Sequence, residues 1–391
     1  MRSRINCHYF IAPFLVICTL LGLLSGCEAR TEGILADRLE VETLVNPAVA
    51  NLTTGTEVRA WLIGDSAVIG FGGDYAFYTP NDFDSLFAVS DNAELKTGKL
   101  LFNDFENLVI QTSTPSNDLV IEQASNYGSE YSVKVSKDNF EERDEGGINI
   151  QGTHQFEAAA FAGIDVGWVF SNYTAISGQE IFDNGIKIYS IIKNGFTGLT
   201  EISLISELSA EYAPVEAAFF NALSGWLLTR KGNQNYIFIT GDGGYSWQGP
   251  YGVGNANGEL MTRIANYDPQ NLYLYSPNHT AIYASHDGGI TWLRTEPTLA
   301  NLSHQGVTDL YVVSAQVAYT VLSSTQDDIA LIGSVFRTNN GGASWEKANA
   351  KPLYAEYIDC LNEEICIATS RNVVQISRDG GVTWKVLVYP L

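Results

Sequence analysis

An eight-residue pattern returns four times in the last 152 residues of this chain. It reads Thr240-Gly-Asp242-Gly-Gly-Tyr-Ser246-Trp247, then Ser285-His-Asp287-Gly-Gly-Ile-Thr291-Trp292. It returns as Thr338-Asn-Asn340-Gly-Gly-Ala-Ser344-Trp345 and Ser377-Arg-Asp379-Gly-Gly-Val-Thr383-Trp384. Recurrence at a spacing of a few dozen residues marks a repeat architecture, in which each unit buries its apolar face only against its neighbours. A strand-like run precedes each copy: Tyr236 to Ile239, Ala281 to Ala284, Ser334 to Arg337 and Val373 to Ile376. The pattern therefore reads as a hairpin turn. Paired glycines take up positive φ where a Cβ would clash. The Asp accepts bonds from turn amides, and Asn340 keeps that acceptor, which points to a structural duty. The following hydroxyl can tie the next strand to the turn, and the Trp can anchor the turn in the sheet.

A second register runs in step with the first. Upstream of each copy lies a strand with a large residue at a fixed place: Trp226, Tyr273 and Tyr319, with Cys366 in the last repeat. The steps are 47, 46 and 47 residues, the length of one four-stranded blade of a β-propeller. Further back, Trp168, Val109 and Trp61 can hold the same place. Degenerate copies follow them at Thr79 to Leu86, Ala124 to Gly128 and Lys193 to Thr197. The expectation is an all-β propeller of seven four-stranded blades, with six or eight as the neighbouring counts. All seven tryptophans fall on the two registers, so they are expected to pack between blades and not to form a sugar-stacking platform.

The repeated turn resembles the Asp-box, or BNR, repeat of sialidases, sortilin-type receptors and the photosystem II stability/assembly-factor family. In those families the box lies on the outer hairpin of a propeller blade, usually away from the active face. The resemblance thus implies that Asp242, Trp247, Asp287, Trp292, Asn340, Trp345, Asp379 and Trp384 are structural. The pairing of Gly225-Trp226 with Asp242 to Trp247 is most similar to the assembly-factor family, which binds partner proteins. The arginine-rich surface which that family uses in photosystem work has no counterpart here.

A sialidase needs three arginines around a substrate carboxylate, a Tyr with a Glu partner as nucleophile, and an Asp acid/base. It also carries an Arg-Ile-Pro segment, which this chain lacks. Arg230, Arg263, Arg294, Arg337, Arg371 and Arg378 lie in the box-bearing half without a motif to gather them. No His-Glu-x-x-His, Gly-x-Ser-x-Gly or phosphate-binding glycine loop is present, and His154, His279, His286 and His304 are scattered. His286 occupies a variable box position and reads as a surface residue. No catalytic, cofactor-binding or metal-ligating residue is assigned, and no cofactor is expected. Other glycosidases need only two carboxylates, and 44 acidic residues leave that alternative open.

Acidic residues outnumber basic ones 44 to 22, which argues against a nucleic-acid partner. The acid-rich run Glu141 to Glu145 reads as a solvated loop. At the N-terminus, Arg2 and Arg4 precede a short apolar run from Phe10 to Leu24, as in a secretion signal. Leu24-Ser25-Gly26-Cys27 then resembles a bacterial lipobox, which implies cleavage after residue 26 and a lipid on Cys27. By analogy with enterobacterial sorting, Glu28 at the next position implies retention at the outer membrane. Residues 27–50 read as a tether or as a ring-closing strand near 39–45, and residues 51–391 as one propeller domain.

Removal of the signal and lipidation leave Cys360 and Cys366 as a pair in an oxidising compartment. They flank a short hairpin loop, so a disulfide between adjacent strands is expected. The chain is thus expected to be a lipid-anchored envelope scaffold that binds a protein partner, with a glycan-binding or sialidase-like hydrolase propeller as the alternative.

Overall fold

The structure is a computed structural model. It describes residues 151–163, 165–177, 180–193, 200–255, 258–297, 306–324, 332–348, 353–370 and 373–388, and before them the backbone strands 42–43, 58–63, 66–71, 75–79, 87–88, 99–103, 107–113, 119–125 and 131–135. Residues 1–26, Cys27 and the acidic run at 141–145 lie outside the described residues.

From residue 151 onward the chain lays down five antiparallel sheets in succession, each a meander in chain order. The first comprises Gln151–Phe161, Val166–Ser177, Glu180–Lys193 and Thr200–Ser209. The second comprises Ala213–Phe219, Gly225–Lys231, Gln234–Thr240 and Gln248–Gly252. The third comprises Arg263–Asn266, Leu272–Ser276, His279–Ser285 and Leu293–Thr295. The fourth comprises Gly306–Val312, Ala318–Ser324, Ile332–Thr338 and Glu346–Lys347, with Leu353–Tyr354 also on the edge of its third strand. The last comprises Tyr357–Cys360, Cys366–Ser370, Val373–Ser377 and Lys385–Val388. Two further antiparallel sheets are formed by the backbone strands of residues 42–135.

First strands meet first strands. Gln151–Phe161 packs against Ala213–Phe219, which packs against Arg263–Asn266, then Gly306–Val312, then Tyr357–Cys360. Val58–Ile63 packs on Tyr357–Cys360 and Cys366–Ser370. This succession leaves no single central core. The apolar clusters instead lie between neighbouring sheets. One joins Trp168, Phe170 and Ile188 to Phe219 and Leu227. The next joins Trp226 and Ile237 to Leu272, Leu274 and Tyr283. The others join Tyr273 and Ile282 to Leu310 and Phe336, and Tyr319 and Val335 to Ile358 and Cys366. Each sheet is thus apolar on both faces, as its near-continuous β-branched and aromatic runs require.

The register expected from spacing holds for Val109, Trp168, Trp226, Tyr273, Tyr319 and Cys366, which all stand on second strands. It does not hold for Trp61. That residue lies on Val58–Ile63, the first strand of its sheet, opposite Val68 on the second. Spacing misplaces Trp61 because a Trp on a first strand and one on a second strand differ by only one short hairpin in sequence. Within the stretch 39–45, Glu42–Thr43 pairs with Phe87–Ala88 along the outer edge of that same sheet. The three degenerate boxes all span third-to-fourth strand connections, although residues 80–86, 126–130 and 194–199 lie outside the described residues.

Candidate functional site

Two sets of polar residues recur in the described sheets: those of the repeated turns, and those on the first strands. The turns join third to fourth strands. Their paired glycines have φ between 67° and 100°, which a side chain would strain. In the 240–247 turn, Asp242 Oδ1 accepts the Ser246 amide at 2.9 Å and the Thr240 hydroxyl at 2.9 Å, and Oδ2 accepts the Ser246 hydroxyl at 2.6 Å. Thr240 Oγ1 in turn accepts the Gly244 amide at 2.8 Å. Asp287 and Asp379 repeat this set with Ser285 and Thr291, and with Ser377 and Thr383. Asn340 accepts the Ser344 amide and the Thr338 hydroxyl through Oδ1, and its Nδ2 donates to Ser344 Oγ at 2.8 Å. The first hydroxyl of each box therefore closes the turn. Sequence reasoning gave that residue no duty, although Ser or Thr at every first position was its signal.

Bonds from Ser246 hold the Asp242 carboxyl below the usual carboxylate range. Burial pushes Asp287 and Asp379 upward, but the bonds from Thr291 and Ser285, and from Thr383 and Ser377, outweigh it and leave both lowered. Each carboxylate is saturated by its own turn. Among the described residues no group of three or more His, Cys, Asp or Glu side chains is placed to hold a metal ion.

The second-strand aromatics reach into the next sheet. Trp168 Nε1 donates to Gly243 O at 2.8 Å, and Trp226 Nε1 to Gly288 O at 2.8 Å. The Tyr319 hydroxyl donates to Glu363 O at 2.6 Å, in the hairpin beside the 377–384 turn. Tyr273 packs on Gly342 in the same way, but its buried hydroxyl has no partner. The Trp of the turn packs back against the preceding sheet: Trp247 Nε1 lies 3.3 Å from Ser206 Oγ and Trp345 Nε1 lies 3.1 Å from Thr295 Oγ1, whereas Trp292 and Trp384 donate to Gly289 O and Gly381 O of their own turns. The two sequence registers are thus the two sides of one clasp. The glycine before Trp has a cause as well. A Cβ on Gly225 would lie 2.5 Å from the Phe219 ring, and one on Gly167 would lie 2.4 Å from the Phe161 ring.

The first strands carry carboxylates toward the neighbouring sheet. Glu216, 6% exposed, lies 3.5 Å from Arg263 Nη1 of the next sheet. Asp309 accepts the Tyr275 hydroxyl from the sheet before it at 3.1 Å and the Ile358 amide from the sheet after it at 2.9 Å. Tyr311 is bonded to Asp359 of the next sheet, and that carboxylate together with burial raises its phenol. Burial, then the charges of Asp309 and Glu216, push the Tyr275 phenol well above its ordinary value. Glu157 lies within the field of Arg230, and burial raises its carboxyl against the opposing bond from Asn172. Three of the four junctions between the described sheets from residue 151 on thus carry an acid engaged across to the neighbouring sheet, and at the first Glu157 has only the field of Arg230 across it.

No protein-family model matches the chain, and no curated protein does. Solved structures do. The chain is similar to the GH74 xyloglucanase from Xanthomonas campestris, with TM-score 0.50 and 11% identity over 86% of this chain and 56% of that one. The chain therefore spans little more than half the length of the xyloglucanase. It is also similar to YCF48 from Cyanidioschyzon merolae (TM-score 0.47, 10% identity, 85% of this chain and 95% of that one). A third likeness is to YCF48 bound to D1 peptide, with TM-score 0.47 and 12% identity over 88% of each chain. The likeness to the xyloglucanase and the ring of first-strand contacts between successive four-stranded sheets agree on the fold. The chain folds as a β-propeller.

Within the propeller the sequence-flagged arginines scatter. Arg263 meets Glu216, and Arg294 forms a forked pair with Glu259 at 2.6 and 2.9 Å. Arg337 lies over the Tyr319 ring, 3.3 Å from Glu363. Arg378 is exposed in its turn, and Arg371 lies outside the described residues. The described arginines thus serve separate partners. His286, read as a surface residue, is exposed but occupied: its ring nitrogens lie 2.7 Å from Asn271 Oδ1 and 2.9 Å from Gly341 O of the next blade. Cys360 and Cys366 stand opposite one another on adjacent strands of the last blade and form a disulfide.

Proposed function

We propose that this chain is a lipid-anchored, seven-bladed propeller of the cell envelope that holds a protein partner and carries out no reaction of its own. The observation behind this reading is that the first-strand carboxylates Glu216, Asp309 and Asp359 are engaged with groups of adjoining blades. A carboxylate held in that way joins blades and leaves the rims of the disc for recognition. The blade count is supported by the succession of first strands from Val58–Ile63 round to Tyr357–Cys360 and back to contact. The anchor rests on Leu24-Ser25-Gly26-Cys27, and the outer-membrane address on Glu28.

The test is made in a bacterial host. Radiolabelled palmitate is expected in the wild-type protein and not in Cys27→Ser. Photo-crosslinkers placed around both rims are expected to trap one protein at a defined set of positions. Label retained in Cys27→Ser refutes the anchor, and a rim that traps no protein refutes the scaffold.

Glu157 favours a second reading, a glycan-active propeller. It is an exposed carboxyl on a first strand, bonded to Asn172 of its own sheet and to no group of an adjoining blade. Reducing-sugar release from a polysaccharide by the wild-type domain, abolished in Glu157→Gln, would establish that reading in place of the first.

A further inference from the structure

Among the described residues, six of the nine exposed large apolar side chains lie on one rim, and the other three, Ile192, Leu204 and Leu293, lie on strands. Phe220, Leu223, Tyr245, Tyr267, Ile290 and Val382 all lie in first-to-second or third-to-fourth turns, and Tyr245 and Leu223 are 63% and 59% exposed. Antiparallel alternation puts both kinds of turn on the same edge of a blade. Bonds between them tie the two turns together: Gly243 N donates to Leu223 O at 2.8 Å, and Gly288 N to Gln270 O at 3.0 Å. Five of these six residues belong to two blades that share an apolar cluster, those of residues 213–252 and 263–295. The described hairpins of the opposite rim on these blades present Gly232 and Asn233, and Pro277 and Asn278.

Charge on the rim turns of these two blades is one-sided, their basic residues Arg230, Lys231, Arg263 and Arg294 standing on strands. Their turns hold Asp242, Asp268 and Asp287 and no Lys or Arg. All three carboxyls are held below the usual range, so they are ionised at neutral pH. They are also saturated within their turns, which fixes their positions.

We infer that this turn-bearing rim, centred on Leu223, Tyr245, Tyr267 and Ile290, is the docking surface, and that it takes a protein segment of basic and apolar side chains. The inference rests on the scaffold reading and says where and what the scaffold binds. A second copy is a poor occupant, because the chain has a net charge of −22 and would bring acid to acid. A basic, apolar segment meets both features at once: its apolar groups cover the exposed side chains, and its cations approach three fixed carboxylates.

The purified propeller is titrated with two synthetic peptides of equal length, one alternating Lys with Leu and one alternating Glu with Leu. The Lys–Leu peptide is expected to bind, and more weakly as salt rises. The double variant Leu223→Ser, Tyr245→Ser is expected to lose at least tenfold in affinity. Asn233→Ser with Asn278→Ser, on the opposite rim, is expected to bind as wild type does. The substituted side chains are exposed, and an unchanged melting temperature verifies the fold of each variant. Failure of the Lys–Leu peptide to bind overturns the inference, as does equal binding of the Glu–Leu peptide or full affinity in the Leu223/Tyr245 variant. A partner crosslinked only through the opposite rim also overturns it while leaving the scaffold reading intact. Absence of any crosslinked partner removes the scaffold reading itself.

Discussion

Tyr273 and Tyr319 occupy one register on consecutive blades and are both fully buried, yet only Tyr319 has a partner for its hydroxyl. A buried hydroxyl without a partner costs free energy, whereas removing one that is bonded strands its acceptor. Tyr273→Phe is therefore expected to leave stability unchanged or raise it by up to about 1 kcal/mol, and Tyr319→Phe to lower it by about 1 kcal/mol. Urea unfolding of the two variants reads the contrast directly. At this scale the sequence was partly legible. Its fixed aromatic position was visible, and so was the glycine before Trp226. The reason for that glycine was not, because it is the Phe219 ring on the paired strand. Nor could spacing separate Trp61 from Trp168, since local pattern does not say which strand of a blade a residue occupies.

Two features of the blade as an element respond to solution conditions. The Asp242, Asp287 and Asp379 carboxyls are lowered by bonds within their turns. Their folded values lie below their unfolded ones. Their contribution is thus complete above the unfolded carboxylate value, about 4, and disappears as pH falls through the folded values. The triple variant with Asn at all three positions is expected to show a shallower loss of urea resistance between neutral and acid pH than wild type. An unchanged slope would show that the turns do not carry that dependence. Asn340 is the internal precedent, since its turn closes with an uncharged acceptor. The Cys360–Cys366 bridge closes a short loop in the final blade. Its reduction, or Cys360→Ser with Cys366→Ser, is expected to cost about 2 kcal/mol. Cys366 stands in the register that aromatics fill on four earlier blades, so a covalent link takes the place where the clasp would be. The four boxes and the cysteine pair were legible because each acts over a few residues. The degenerate boxes were legible only as positions between third and fourth strands.

Across the whole molecule, cohesion comes from junctions between blades, and most of that was closed to sequence reasoning. Glu216 meets Arg263, Tyr275 meets Asp309, and Tyr311 meets Asp359, each pair separated by dozens of residues with no shared motif. Sequence alone offered 44 acids and no means to tell a structural carboxylate from a catalytic one. The geometry distinguishes them by partner: Asp309 binds one group from the blade before it and one from the blade after. That distinction underlies the proposed scaffold, because a carboxylate retained for chemistry is commonly held at a cost to stability, and one retained for cohesion is not. The deciding measurement is the unfolding free energy of Asp309→Asn against wild type. The substitution turns one acceptor into a donor that faces donors. The expected loss is about 1–3 kcal/mol. An unchanged or increased stability would contradict it, and would point back to a site built for catalysis.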